Sequence, residues 1–164
     1  MAEMATSPAV DKAAIRADLE RTHEAYRELV GQIPDGKWDA TSGNRAFTCG
    51  QLAWHLASGV DFTVGIIEAA RKGKQTSVPS FLMPLGYKRN EMRIRRRSRA
   101  ATRESVLADY ERDQARLLRL LDDLSDPEFA IVKTNFAITQ SVREMFNVPV
   151  EHFAEHAPEV RAGV

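Results

Sequence analysis

Two of the four histidines stand four residues apart, at His152 and His156. On a helix that spacing projects both imidazoles from one side, one turn apart. Two imidazoles so placed can share one divalent ion, the arrangement that zinc enzymes obtain from a single helix. His55 lies three residues after Leu52 and four before Gly59, on the margin of an apolar helical stripe. Were its helix to neighbour that of the pair, three neutral ring nitrogens would converge and leave a coordination position for water or substrate. The competing reading is packing. Histidine pairs at this spacing arise by chance, and a histidine at the edge of a stripe often serves as a hydrogen-bonded packing residue. Spacing alone leaves both open.

Other residues carry weaker signals. His152-Phe-Ala-Glu155-His156 matches H-x-x-E-H, in which the glutamate of a peptidase acts as general base. Such peptidases draw a further acidic ligand from far downstream, and only eight residues follow His156, so the expectation is against a peptidase. His23 falls beside the stripe of Leu19 and Tyr26 and reads as packing. Cys49 opens a helix whose dipole favours a thiolate, yet its wheel position points away from His55, so it reads as a small buried hydrophobe. Glu151 and Glu155 read as solvent-facing, with orientation of an imidazole as the other option. Asp61 reads as a surface charge, and no separate general base is identified.

Four segments with helical periodicity would position these groups. The first runs from about Val10 to Ile33, with Ile15, Leu19, Thr22, Tyr26, Leu29 and Ile33 on one face, and Pro34-Asp-Gly36 stops it. The second runs from a Thr48 N-cap to Lys72, with Gly73 as its stop. The third runs from about Thr102 to Leu124. The fourth opens with the capping-box spacing Ser141-Val-Arg-Glu144 and carries Pro149 and Pro158, which predict a kink or an end near His156. No segment reads as a sheet strand. The expected fold is all-α: a four-helix bundle with a long crossover between the second and third helices, spanning residues 9–164 after a flexible tail at 1–8.

Composition narrows the classes further. Apolar residues are 43% and charged residues 28% of the chain, which excludes wholesale disorder. Lys plus Arg and Asp plus Glu are 23 each, so no overall basic footprint points to nucleic acid or a membrane surface. No apolar run approaches the roughly 20 residues a membrane span needs. With no basic and apolar leader pattern at the N-terminus and one cysteine, the expected setting is the cytoplasm. One segment is sharply biased: Lys88 to Arg103 has eight basic residues against Glu91. It reads as a solvated face that pairs with acidic helix surfaces or a second subunit, as a holder of ligand carboxylates, or as a weaker nucleic-acid contact. Upstream, Val78 to Gly86 is apolar for a loop and is expected to line a pocket or cover a bundle end.

Taken in order, Phe47-Thr48, Trp54-His55-Leu56, the Ser141 capping box and Glu151-His152-Phe-Ala-Glu-His156 resemble the DinB/YfiT-like superfamily of small four-helix metalloproteins. The likeness covers almost the whole chain. It implies that His55, His152 and His156 hold a divalent metal, zinc or nickel first, with manganese and iron also compatible. It implies chemistry on a small-molecule substrate, with water or a low-molecular-weight thiol as the activated group, as in the family's thiol transferases. Isomerase-like members are less similar, since they place a glutamate where His152 stands and carry a second domain. A homodimer is expected from the resemblance and from the frequency of twofold assemblies. The alternative is a non-catalytic, stress-related bundle that binds a metal or ligand.

Overall fold

The computed structural model describes residues 9–75 and 80–164. The expected tail at 1–8, and Val78 and Pro79 of the apolar segment, lie outside the described residues.

Helix α1 spans Lys12–Gln32 and starts where the Asp11 side chain accepts the Ala14 amide. Helix α2 spans Cys49–Arg71 behind a reciprocal cap between Thr48 and Gln51. Gly73, at φ +72°, then takes the left-handed turn that a side chain would resist. Helix α3 (Met83–Arg97) occupies the long connection, and α4 spans Arg103–Asp123 behind a Thr102 cap. After the short turn α5 (Asp126–Phe129) come strands β1 (Val132–Asn135) and β2 (Ile138–Ser141). A short helix α6 (Val142–Met145) and then α7 (Val148–Arg161) complete the described chain.

The apolar stripes read from the sequence are the faces that meet. Leu19, Tyr26 and Leu29 of α1, Leu52, Leu56, Val60 and Ile67 of α2, Tyr110, Leu117 and Leu121 of α4, and Val160 of α7 form one buried cluster. Each such side chain contributes about 1.5–3 kcal/mol by leaving water. Tyr26 stacks on Tyr110 with ring centroids 4.2 Å apart, and its hydroxyl donates to the Ala53 carbonyl at 2.9 Å. Contacts fix the helix directions. Asp61–Arg116 and Arg71–Glu128 tie α2 to α4 and the turn beyond it, in the same order along both. Gly59 meets His152 whereas Cys49 approaches Val160, so α7 runs opposite to α2.

The predominantly helical reading holds, and three details correct it. The connection between α2 and α4 is not a bare loop, because α3 fills much of it with the basic run. Phe81 and Leu85 there are 79% and 65% exposed, so the apolar segment neither caps the bundle nor lines a pocket at those positions. Second, β1 and β2 pair antiparallel in register Val132↔Ser141 to Asn135↔Ile138, a hairpin where no strand was expected. Third, the last helix breaks at Phe146-Asn147, and Pro149 sits in the first turn of α7, where its missing amide costs nothing. Pro158 lies inside α7 without ending it. Ala154, whose carbonyl loses its donor, is exposed, so water can take the donor's place.

Candidate metal centre

His55 comes from the middle of α2, His152 and His156 from successive turns of α7. Because the two helices pack antiparallel, the rings meet. Centroids of His55 and His152 are 4.4 Å apart, of His55 and His156 5.2 Å, and of His152 and His156 4.9 Å. One ligand nitrogen from each ring lies within 4.8 Å of the others, so the three could hold a metal ion between them.

The details fit that task. Nε2 of His152 stands 2.9 Å from Nε2 of His55, so these two nitrogens face the same point. Nδ1 of His156 pairs with Oε2 of Glu159 at 2.6 Å. A carboxylate on Nδ1 keeps the proton there and leaves Nε2 as the lone pair, the way carboxylates orient metal-binding imidazoles. Glu159 is itself held, since its backbone carbonyl accepts the Gly43 amide at 2.7 Å. Nδ1 of His55 is buried without a hydrogen-bond partner. An unmet polar atom costs about 1–3 kcal/mol that a leucine there would not incur. That cost stays whichever group meets Nε2, so the fit of His55 as a ligand rests on the Nε2 that faces His152.

Gly59 makes the approach of α7 possible. A Cβ added there would lie 2.6 Å from His152 Nδ1, inside contact distance. Burial also sets the protonation state. Loss of solvent, then the neighbouring His152 and His156, then the charge of Arg93, lower the His55 pKa to about 3. Loss of solvent and His156 lower that of His152 to about 4. Both rings are therefore neutral at physiological pH, the form that binds metal.

All three proposed ligands are brought together, and the other candidates separate from them. His23 stacks on Tyr110 at 5.0 Å, as its packing reading required. Cys49 is fully buried against Val160, and burial raises its thiol pKa, the opposite of what a helix N-terminus does to an open thiol. Glu151 and Glu155 are exposed, and Asp61 pairs with Arg116 at 2.7 Å. The residue that the sequence reading missed is Glu159. Its only signal in the sequence is a position three residues beyond His156, one helical turn on.

The fold and site together define a helical protein with a three-histidine centre able to hold a divalent ion. The chain belongs to the DinB superfamily, whose model matches residues 18–160. No curated protein matches it. Among solved structures, a protein from Streptococcus pneumoniae is 19% identical at a TM-score of 0.70, covering 95% of this chain and 90% of its own. An uncharacterised protein from Clostridium difficile 630 is 17% identical at a TM-score of 0.68, with 95% of each chain covered. At these identities the likeness shows the fold.

Proposed function

We propose that this protein is a divalent-metal-dependent enzyme that activates water or a low-molecular-weight thiol for transfer or hydrolysis on a small-molecule substrate. The observation that carries the reading is the convergence of three imidazoles, two of them held neutral by burial, around one point. His55, His152 and His156 would hold the ion, and Glu159 would fix the tautomer of His156. A cation held by neutral ligands keeps its full charge, so it lowers the pKa of a bound water or thiol toward neutrality. Zinc and nickel suit three imidazoles best, and manganese and iron are compatible. The scaffold is read as a four-helix bundle of α1, α2, α4 and α7, with the segment containing α3 as its crossover. A homodimer and a cytoplasmic setting complete the proposal.

A screen of the metal-loaded protein with several bacterial thiols against electrophilic acceptors, beside a panel of esters and amides, tests it. Turnover that disappears in His55→Ala is expected. No turnover with any pair, by protein shown to be loaded, would reject the enzyme reading.

One observation favours a second reading, a metal- or ligand-binding protein without turnover. Glu159 is committed to His156, and Glu151 and Glu155 are exposed. The described residues thus supply no carboxylate free to carry a proton at the centre.

A further inference from the structure

Beside the histidines runs a groove of about 420 Å³ walled by α2, α3 and α4. Trp54, Ser58 and Phe62 line its α2 side. Ser58 and Phe62 are three and seven residues beyond His55, so groove and metal centre are adjacent strips of one helix surface. Across from them, α3 supplies Arg93 and Arg97, one turn apart, and α4 supplies Asp109, Arg112 and Asp113.

The charges of this wall are unevenly committed. Asp113, buried on α4, accepts from Arg112 at 2.7 Å and from Arg116 at 3.1 Å. Asp109 accepts from Arg112 at 2.6 Å, and Asp61 from Arg116 at 2.7 Å. Every carboxylate lining the groove is thus neutralised by an α4 guanidinium. Arg93 and Arg97 have no carboxylate within ion-pair distance among the described residues, although Arg95 between them pairs with Glu91. The uncommitted charge of the groove is therefore two guanidinium forks, whose planar donors match the oxygens of a carboxylate or phosphate. The aromatic walls Trp54 and Phe62 suit an apolar or ring-bearing body. In a chain of zero formal net charge, this positive strip comes from placement, not from bulk composition.

We propose that Arg93 and Arg97 bind the carboxylate or phosphate of an apolar or aromatic substrate, whose body lies along Trp54 and Phe62 and whose reacting end reaches the histidine centre. The last clause rests on the histidine site being the reaction centre, whereas the anion site stands on the groove alone. The field that Arg93 exerts at His55 agrees with their closeness.

The test uses the full chain stripped of metal, so that no cation can bind the anion in place of the arginines. Calorimetric titration with naphthyl phosphate and with naphthoate separates a phosphate from a carboxylate source, and neutral naphthol is the control. At least one anion is expected to bind about tenfold tighter than naphthol, and R93Q/R97Q to lose about tenfold of that affinity. R89Q/R96Q, on the same helix but outside the groove, is expected to keep it. Anions no tighter than naphthol, or equal losses in the two double variants, would overturn the proposal. Zinc stoichiometry of R93Q/R97Q and of His55→Ala is read separately. Zinc binding that survives His55→Ala sinks the metal reading and leaves the anion result standing.

Discussion

Gly59 and Glu159 govern the two histidines of α7 without being ligands themselves. Gly59→Ala places a methyl 2.6 Å from His152 Nδ1. The helix itself gains from the change by about 1 kcal/mol. The clash outweighs that gain, because the His152 ring or α7 must shift, so zinc binding about tenfold weaker by chelator competition and a lower thermal midpoint of the metal-free protein are both expected. Glu159→Gln removes the charge that holds the His156 proton on Nδ1, and a zinc affinity about tenfold lower is expected in the same assay. Protonation supplies a third test. An unfolded chain charges its histidines below about pH 6.5. Folded His55 and His152 resist until about 3 and about 4. Between these limits the unfolded state binds more protons, so the stability of the metal-free protein should fall as pH drops from 6.5 toward 4. A His55→Ala/His152→Ala variant should lose much of that slope in denaturant titrations, and an unchanged slope would contradict the burial argument. The ligand trio was legible from type and spacing together with family likeness. Glu159 was not, because its role depends on a rotamer that turns back toward His156 and on the Gly43 contact behind it.

Helices α1, α2 and α4 and the segment that holds α6 and α7 were legible because each carries an apolar face in its own residues. Helix α3 was not, because its basic run buries only Ile94. Thr48, Thr102 and Ser141 all make the reciprocal caps that their spacing allows. The β1–β2 hairpin hid for the opposite reason. Its turn residues Phe136 and Ala137 sit at φ 49° and 67°, conformations normally announced by asparagine or glycine. Four-residue strands with such a turn leave no pattern long enough to read. That strain makes a prediction, since Ala137→Gly should stabilise the protein by about 1 kcal/mol in denaturant unfolding. A destabilised variant would show that the turn is not strained. Pro149 and Pro158 predict a kink or an end near His156, whereas the break falls at Phe146-Asn147, because Pro149 fits the first turn of α7 and Pro158 is accommodated inside it. At the meeting of α1 and α2, Tyr26→Phe removes the bond to the Ala53 carbonyl but keeps the stack on Tyr110. A cost of about 1 kcal/mol is expected.

Across the whole molecule, charge is segregated. The stretch from Lys88 to Arg103 carries +7 and the rest of the chain −7. Most of the positive charge sits on α3, where Met92 is 56% exposed beside the arginines. Among the described residues no helix is long and apolar enough to cross a membrane. The proposed homodimer is checked by sedimentation, where a species of twice the 18.4 kDa chain mass at micromolar concentration is expected and a monomer would refute it. The central claim concerns what α2 and α7 hold between them, and elemental analysis of protein purified without chelator or affinity tag reads it most directly. The account predicts one divalent ion per chain, lost in His55→Ala, His152→Ala and His156→Ala and kept in His23→Ala. A stoichiometry near zero in the unsubstituted protein, unrestored by added zinc, nickel, manganese or iron, would contradict it.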